Sequence, residues 1–146
     1  MKVLFICTGN TCRSSMAEGI FNEIVKKKGL EHKASSAGTF AIDGSPATDK
    51  AIEALKEDYG IDISHHTSRS LKREYLKDAD LVLTMTLNQR KTLLSMYPEF
   101  ADKIFTVNEF AGLEGDIDDP FGLSKDVYKK TAKELYTSIS RIIEKL

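Results

Sequence analysis

The chain predicts an α/β fold in three layers, with a central parallel sheet of about four strands flanked by helices and a tight loop directly after the first strand. Three observations carry this. Short continuous apolar runs, Val3–Ile6 and Leu81–Met85, read as strands buried on both faces. Stretches with apolar residues at helical spacing separate such runs, so strands and helices alternate as they do in parallel sheets. The first run also passes into Gly9-Asn10 and then into a helical pattern within a few residues, giving the order strand, tight loop, helix.

Length and charge bound the rest. The 146 residues are expected to form one domain, 1–146, large enough for a single substantial core. With 21 basic and 22 acidic residues, nothing points to nucleic acid or an anionic membrane as a partner. The N-terminal apolar run is too short for a secretion signal and no stretch approaches a membrane span, so a soluble cytoplasmic protein is expected. The only cysteines, Cys7 and Cys12, are too close in sequence to staple a fold, and no nearby ligands complete a zinc site.

In chain order, the first helix starts around Ser14-Ser15, with Glu18 near its first turn and Met16, Ile20, Phe21 and Ile24 inward, and ends at Lys26-Lys27-Lys28-Gly29. His32 to Ala37 reads as a weak second strand. Thr39 to Pro46 is loop, with Phe40 and Ile42 at its tip. Pro46 to Tyr59 is an amphipathic helix with Ala51, Ile52, Ala54 and Leu55 inward, closed by Gly60. The adjacent His65 and His66 do not share a helix face, which favours surface or supporting hydrogen bonds over metal binding. Lys72 to Asp80 is a short charged helix, Leu81 to Met85 a buried strand, Asn88 to Tyr97 a helix and Lys103 to Val107 a further strand. Ser124 to Leu146 closes the chain as a helix with Val127, Leu135, Ile139, Ile142 and Ile143 inward.

The chemistry is expected in Cys7-Thr8-Gly9-Asn10-Thr11-Cys12-Arg13-Ser14. Gly9 and Asn10 best tolerate positive φ, so the loop can curl with its N–H groups inward. Closed by a helix N-terminus, such a nest suits phosphate. Cys7 sits at its rim, where N–H dipoles and the Arg13 cation favour the nucleophilic thiolate. The planar Arg13 fork can hold two phosphate oxygens at once, and Ser14 can donate a hydrogen bond to the sulfur.

This stretch resembles the signature loop of the low-molecular-weight protein tyrosine phosphatases, Cys-x-Gly-Asn-x-Cys-Arg-Ser, at every fixed position. Ser15 departs from the proline many members carry, which weakens the helix start and leaves the chemistry untouched. The resemblance extends over nearly the whole chain and implies a cysteine-dependent protein phosphatase acting on phosphotyrosine through a phosphocysteine intermediate. It implies no cofactor or metal, a phosphorylated protein as substrate and a monomer as the working form. The family's general acid is the Asp of an Asp-Pro-aromatic motif, matched here by Asp119-Pro120-Phe121, with Asp118 the near competitor. Cys7, Arg13 and Asp119 are the expected catalytic residues. Thr8, Gly9, Asn10, Thr11, Cys12, Ser14, Phe40 and Phe121 are expected to line the substrate site, Phe40 and Phe121 as its walls.

Thr11 stands where tyrosine-directed members carry a bulkier aliphatic residue, and a threonine there is similar to the bacterial protein arginine phosphatase branch. Protein arginine phosphatase is therefore the alternative activity, with Thr11 either its selector or neutral packing. Arsenate reductases share the loop but pass oxidation to later cysteines, which this chain lacks after Cys12. A phosphocarrier module needs neither Arg13 nor Asp119. Cys12 reads as a small buried residue of the loop or, more sharply, as the thiol that captures an oxidised Cys7 in a disulfide.

Overall fold

The computed structural model describes all 146 residues. Four strands, β1 (Lys2–Cys7), β2 (Lys33–Gly38), β3 (Leu81–Thr84) and β4 (Ile104–Thr106), form one parallel sheet in the order β2-β1-β3-β4. The chain leaves β1 to one side for β2 and returns to its other side for β3. The order reverses at β1, and ligands of such sheets bind beyond the carboxyl ends of the strands at that point. Cys7 is the last residue of β1, paired with Gly38 of β2.

Alternation along β1 builds both core layers. Val3, Phe5 and Cys7 face α1 (Arg13–Lys27), α2 (Asp49–Tyr59) and α6 (Lys125–Lys145), which contribute Met16, Ile20, Leu55, Leu135 and Ile139. Leu4 and Ile6 face the opposite layer, with Leu76 of α3 (Arg73–Asp78) and Leu93 of α4 (Leu87–Met96). Each such fully buried side chain contributes about 2 kcal/mol. The expected fold class is thus observed, with helices on both faces. No helix is long and apolar enough to cross a membrane.

Several boundaries differ from expectation for local reasons. α2 starts at Asp49, because the Thr48 side chain caps it by accepting from the Ala51 N–H, while Pro46 makes an isolated bridge to Thr67. The segment after β4 continues as a short helix, α5 (Val107–Ala111), opened by a Thr106–Glu109 capping box. A 3₁₀ turn, Pro98–Lys103, precedes β4. Tyr128 rather than Val127 is the buried residue in the first turn of α6.

Gly38 lies at a close approach. A Cβ there would run into the Thr8 carbonyl oxygen and stand 2.9 Å from Ala41 Cβ and 3.1 Å from the Asn10 nitrogen. Two of these three neighbours are backbone atoms of the loop after β1, so the loop itself would have to move. Gly38→Ala is expected to destabilise by about 1–3 kcal/mol, seen as a lower urea midpoint. An unchanged midpoint would mean that the loop gives way freely.

Candidate active site

Of the two residues expected to bend the loop, only Asn10 takes positive φ, at 60°. Its side chain explains why asparagine occupies the position. Nδ2 donates to Ser14 Oγ (2.8 Å) and Ser36 Oγ (2.9 Å), and Oδ1 accepts from the Arg69 N–H (3.0 Å). His66 Nε2 donates to the Asn10 carbonyl at 2.7 Å, so this histidine serves as a support for the loop. Asn10 is fully buried and all its side-chain hydrogen-bonding atoms are engaged.

Cys7 Sγ sits among donors. The Asn10 N–H reaches it at 3.2 Å and Ser14 Oγ lies 2.8 Å away. Because Ser14 Oγ already accepts from Asn10 Nδ2, its proton is directed at the sulfur. No hydroxyl caps the start of α1. Cys12 occupies the N-cap position without a side-chain bond, Ser15 Oγ donates to the Cys12 carbonyl, and Glu18 accepts from Ser36 Oγ at 2.7 Å beyond the first turn. No side chain therefore competes for the N-terminal N–H groups of α1, which suits an anion.

Arg13 is the first residue of α1 and is buried. Its Nη1 donates to the Ile117 carbonyl at 2.9 Å, and Nη2 lies 3.7 Å from Asp119 Oδ2. The loop carrying Asp119 is anchored on its other side as well. Ile117 is buried in the core and its N–H donates to the Met85 carbonyl, while Asp116 Oδ1 accepts from the Leu87 N–H. Asp119 Oδ1 accepts from the Phe121 N–H at 3.1 Å, leaving the carboxylate half-exposed and facing Arg13.

These residues enclose a cavity of about 230 Å³ lined by Cys7, Thr8, Gly9, Asn10, Thr11, Cys12, Arg13, Asp119 and Phe121. Residues from opposite ends of the sequence meet there, and Asp119 rather than Asp118 is the carboxylate that lines it. Ser14 stands behind the sulfur instead of in the lining. Phe40 lies outside the lining and is 81% exposed, held nearby by its N–H bond to the Thr8 carbonyl. The exposed Phe121 forms an apolar edge of the mouth.

Both cysteines carry free thiols. Cys12 Sγ lies 3.3 Å from the Tyr128 hydroxyl and 3.7 Å from Thr48 Oγ1. Burial, reinforced by the Cys12 hydrogen bond, pushes the Tyr128 phenol up to about 12, so it stays protonated at neutral pH. Tyr128, Gln89, Ser36 and Arg69 escaped the sequence reading. Only Gln89 left a legible signal, as the third residue after Thr86 in a capping box.

Comparison with known proteins agrees with this fold. Residues 2–146 match the model of the low molecular weight phosphotyrosine protein phosphatases. A protein-arginine-phosphatase of Bacillus subtilis is 42% identical, covering 100% of this chain and 97% of its own length. A low molecular weight protein tyrosine phosphatase from T. tengcongensis superposes with a TM-score of 0.98 at 59% identity, over 100% of this chain and 99% of that one. The YwlE arginine phosphatase, in a mutant with a phosphorylated active site serine, gives a TM-score of 0.96 at 41% identity, over 100% and 95% of the two chains. The fold and the loop thus define a cysteine-dependent protein phosphatase, a hydrolase. The chain belongs to the low molecular weight phosphotyrosine protein phosphatase family.

Proposed function

We propose that this phosphatase works through Cys7, Arg13 and Asp119 and that phosphoarginine in proteins is its preferred substrate. The observation that carries the catalytic part is the convergence of the Cys7 sulfur, the Arg13 guanidinium and the Asp119 carboxylate on one cavity. Loop N–H groups and Arg13 bind the phosphoryl oxygens, and the Cys7 thiolate attacks phosphorus in line. The bond to the leaving group breaks as Asp119 delivers its proton to that group. A water then attacks the phosphocysteine, Asp119 takes the water proton, the S–P bond breaks, and inorganic phosphate leaves with the thiolate restored. The preorganised donors stabilise charge that spreads over the equatorial oxygens in transfer. A phosphorylated active-site serine in the related arginine phosphatase mutant is what attack on phosphorus from this loop would leave behind.

The phosphoarginine preference rests on Thr11, which lines the cavity and supplies a short polar wall. A guanidinium is planar, broad and rich in N–H donors, so it is served by space and a hydroxyl acceptor where a phenyl ring is served by an aliphatic contact. The similarity to arginine phosphatases supports the same reading, while the T. tengcongensis relative bears the name of a tyrosine phosphatase. The test compares kcat/KM on phosphoarginine and phosphotyrosine peptides. Thr11→Ile is expected to lower the arginine value about 10–200-fold with little change for tyrosine. Preference of the unmodified protein for phosphotyrosine would overturn the assignment and return Thr11 to neutral packing.

A further inference from the structure

We infer that Gln89 sets the polarity of the Thr8 hydroxyl, leaving its proton to a phosphoryl oxygen in the cavity. Gln89 is thus a positioning residue acting through Thr8, and the inference rests on reading the cavity as a phosphoryl site. The Gln89 amide has one possible orientation. Its Oε1 accepts from the N–H groups of Met85 (2.9 Å) and Thr86 (3.2 Å), so the other end is the NH₂, which donates to Thr8 Oγ1 at 3.3 Å. Gln89 is buried, which holds this arrangement away from exchange with water. A hydroxyl that accepts on one side keeps its single proton for another partner, and Thr8 Oγ1 has no other partner within the chain. Thr8 is exposed and lines the cavity.

The same device stands on the other side of the nucleophile. There the Asn10 NH₂ donates to Ser14 Oγ, whose proton turns to Cys7 Sγ. Two carboxamides therefore stand behind two hydroxyls that flank Cys7. One proton serves the sulfur, the other the group the sulfur attacks. Sequence gives only half of this. The Thr86–Gln89 capping box is local, while the reach of its spare NH₂ to Thr8 follows from β1 and β3 being neighbours in the sheet.

Gln89→Glu reverses one hydrogen bond and little else. The carboxylate still accepts from Met85 and Thr86, but it can only accept from Thr8, which draws the Thr8 proton away from the cavity. The readout is the affinity for inorganic phosphate by calorimetry, in Thr8→Val, Thr8→Ser, Gln89→Glu and the double variant Thr8→Val/Gln89→Glu. Thr8→Val is expected to weaken phosphate about tenfold, the worth of one hydrogen bond to a charged group, and Thr8→Ser to retain the affinity. The added carboxylate also repels phosphate, and its effect in the Thr8→Val background measures that repulsion alone. Gln89→Glu is expected to cost about tenfold more in the otherwise unmodified protein than in the Thr8→Val background. Equal costs in both backgrounds, or a Thr8→Val variant that binds phosphate like the unmodified protein, would overturn the inference. If Gln89→Glu does not fold, Gln89→Met, which removes the donor to Thr8, takes its place in the same cycle, and equal costs in both backgrounds again overturn the inference. The catalytic reading fails separately, through a Cys7→Ser variant that still turns over, because phosphate affinity needs no turnover.

Discussion

Cys7→Ser is expected to lower kcat on the order of 10⁴–10⁶-fold while leaving the fold intact. The reason is the environment already built around the sulfur. Cys7 closes β1 with its side chain buried, where an N–H and a hydroxyl approach the sulfur as donors. Those donors stabilise an anion, and a thiol ionises far more readily than a hydroxyl, so the serine oxygen stays protonated and a weak nucleophile. It is also smaller, so it fits the space without strain and makes the same hydrogen bonds. Stability should fall by no more than about 1 kcal/mol. The measurement pairs steady-state rates on an aryl phosphate with acid quenching of the enzyme on a labelled substrate. Label held as phosphocysteine is expected in the unmodified protein. Activity within tenfold of it in Cys7→Ser would place the nucleophile elsewhere.

Asp119→Asn should produce the second largest effect, and its size should depend on the leaving group. A positioned acid contributes roughly 10²–10⁴-fold when the departing atom needs a proton. For an aryl phosphate whose phenolate leaves unaided, the loss in the first step should shrink greatly, leaving hydrolysis of the phosphocysteine as the slow step and producing a burst. The substitution barely touches stability, because Asp119 is half-exposed and its 3.7 Å pairing with Arg13 is open to solvent on one side. Asp118→Asn supplies the comparison, since Asp118 is exposed and outside the cavity lining. Equal losses in the two variants would remove Asp119 from its role.

The placing of Cys7, Arg13 and the nest was legible because they lie within eight residues whose local order dictates a strand, a curl and a helix. Asp119 was legible only through the Asp-Pro-Phe resemblance, since nothing in spacing ties it to Cys7. What brings the two together is the sheet order, which seats Ile117 against Met85 at the end of β3 and places its carbonyl within reach of Arg13. The partners of the supporting polar residues were illegible for the same reason, although His66 reads as a supporting residue and Gln89 as part of a capping box. Ser36 of β2, His66 and Arg69 of the connection between α2 and α3, and Gln89 of α4 converge on the loop only after folding. Gly9 and Phe40 show the limit in the other direction. Residue type singled out Gly9 and the resemblance singled out Phe40, yet in the loop Asn10 alone takes the left-handed turn, and Phe40 stands in solvent with its backbone N–H bonded to the Thr8 carbonyl.

The bond from Arg13 to the Ile117 carbonyl also bears on time. One guanidinium links the loop after β1 to the loop that carries Asp119, and Ile117 is in turn pinned to β3 and the core. Neither loop can open without releasing the other, so the two halves of the site share a single opening event. Loosening that one bond would therefore loosen both walls of the cavity together.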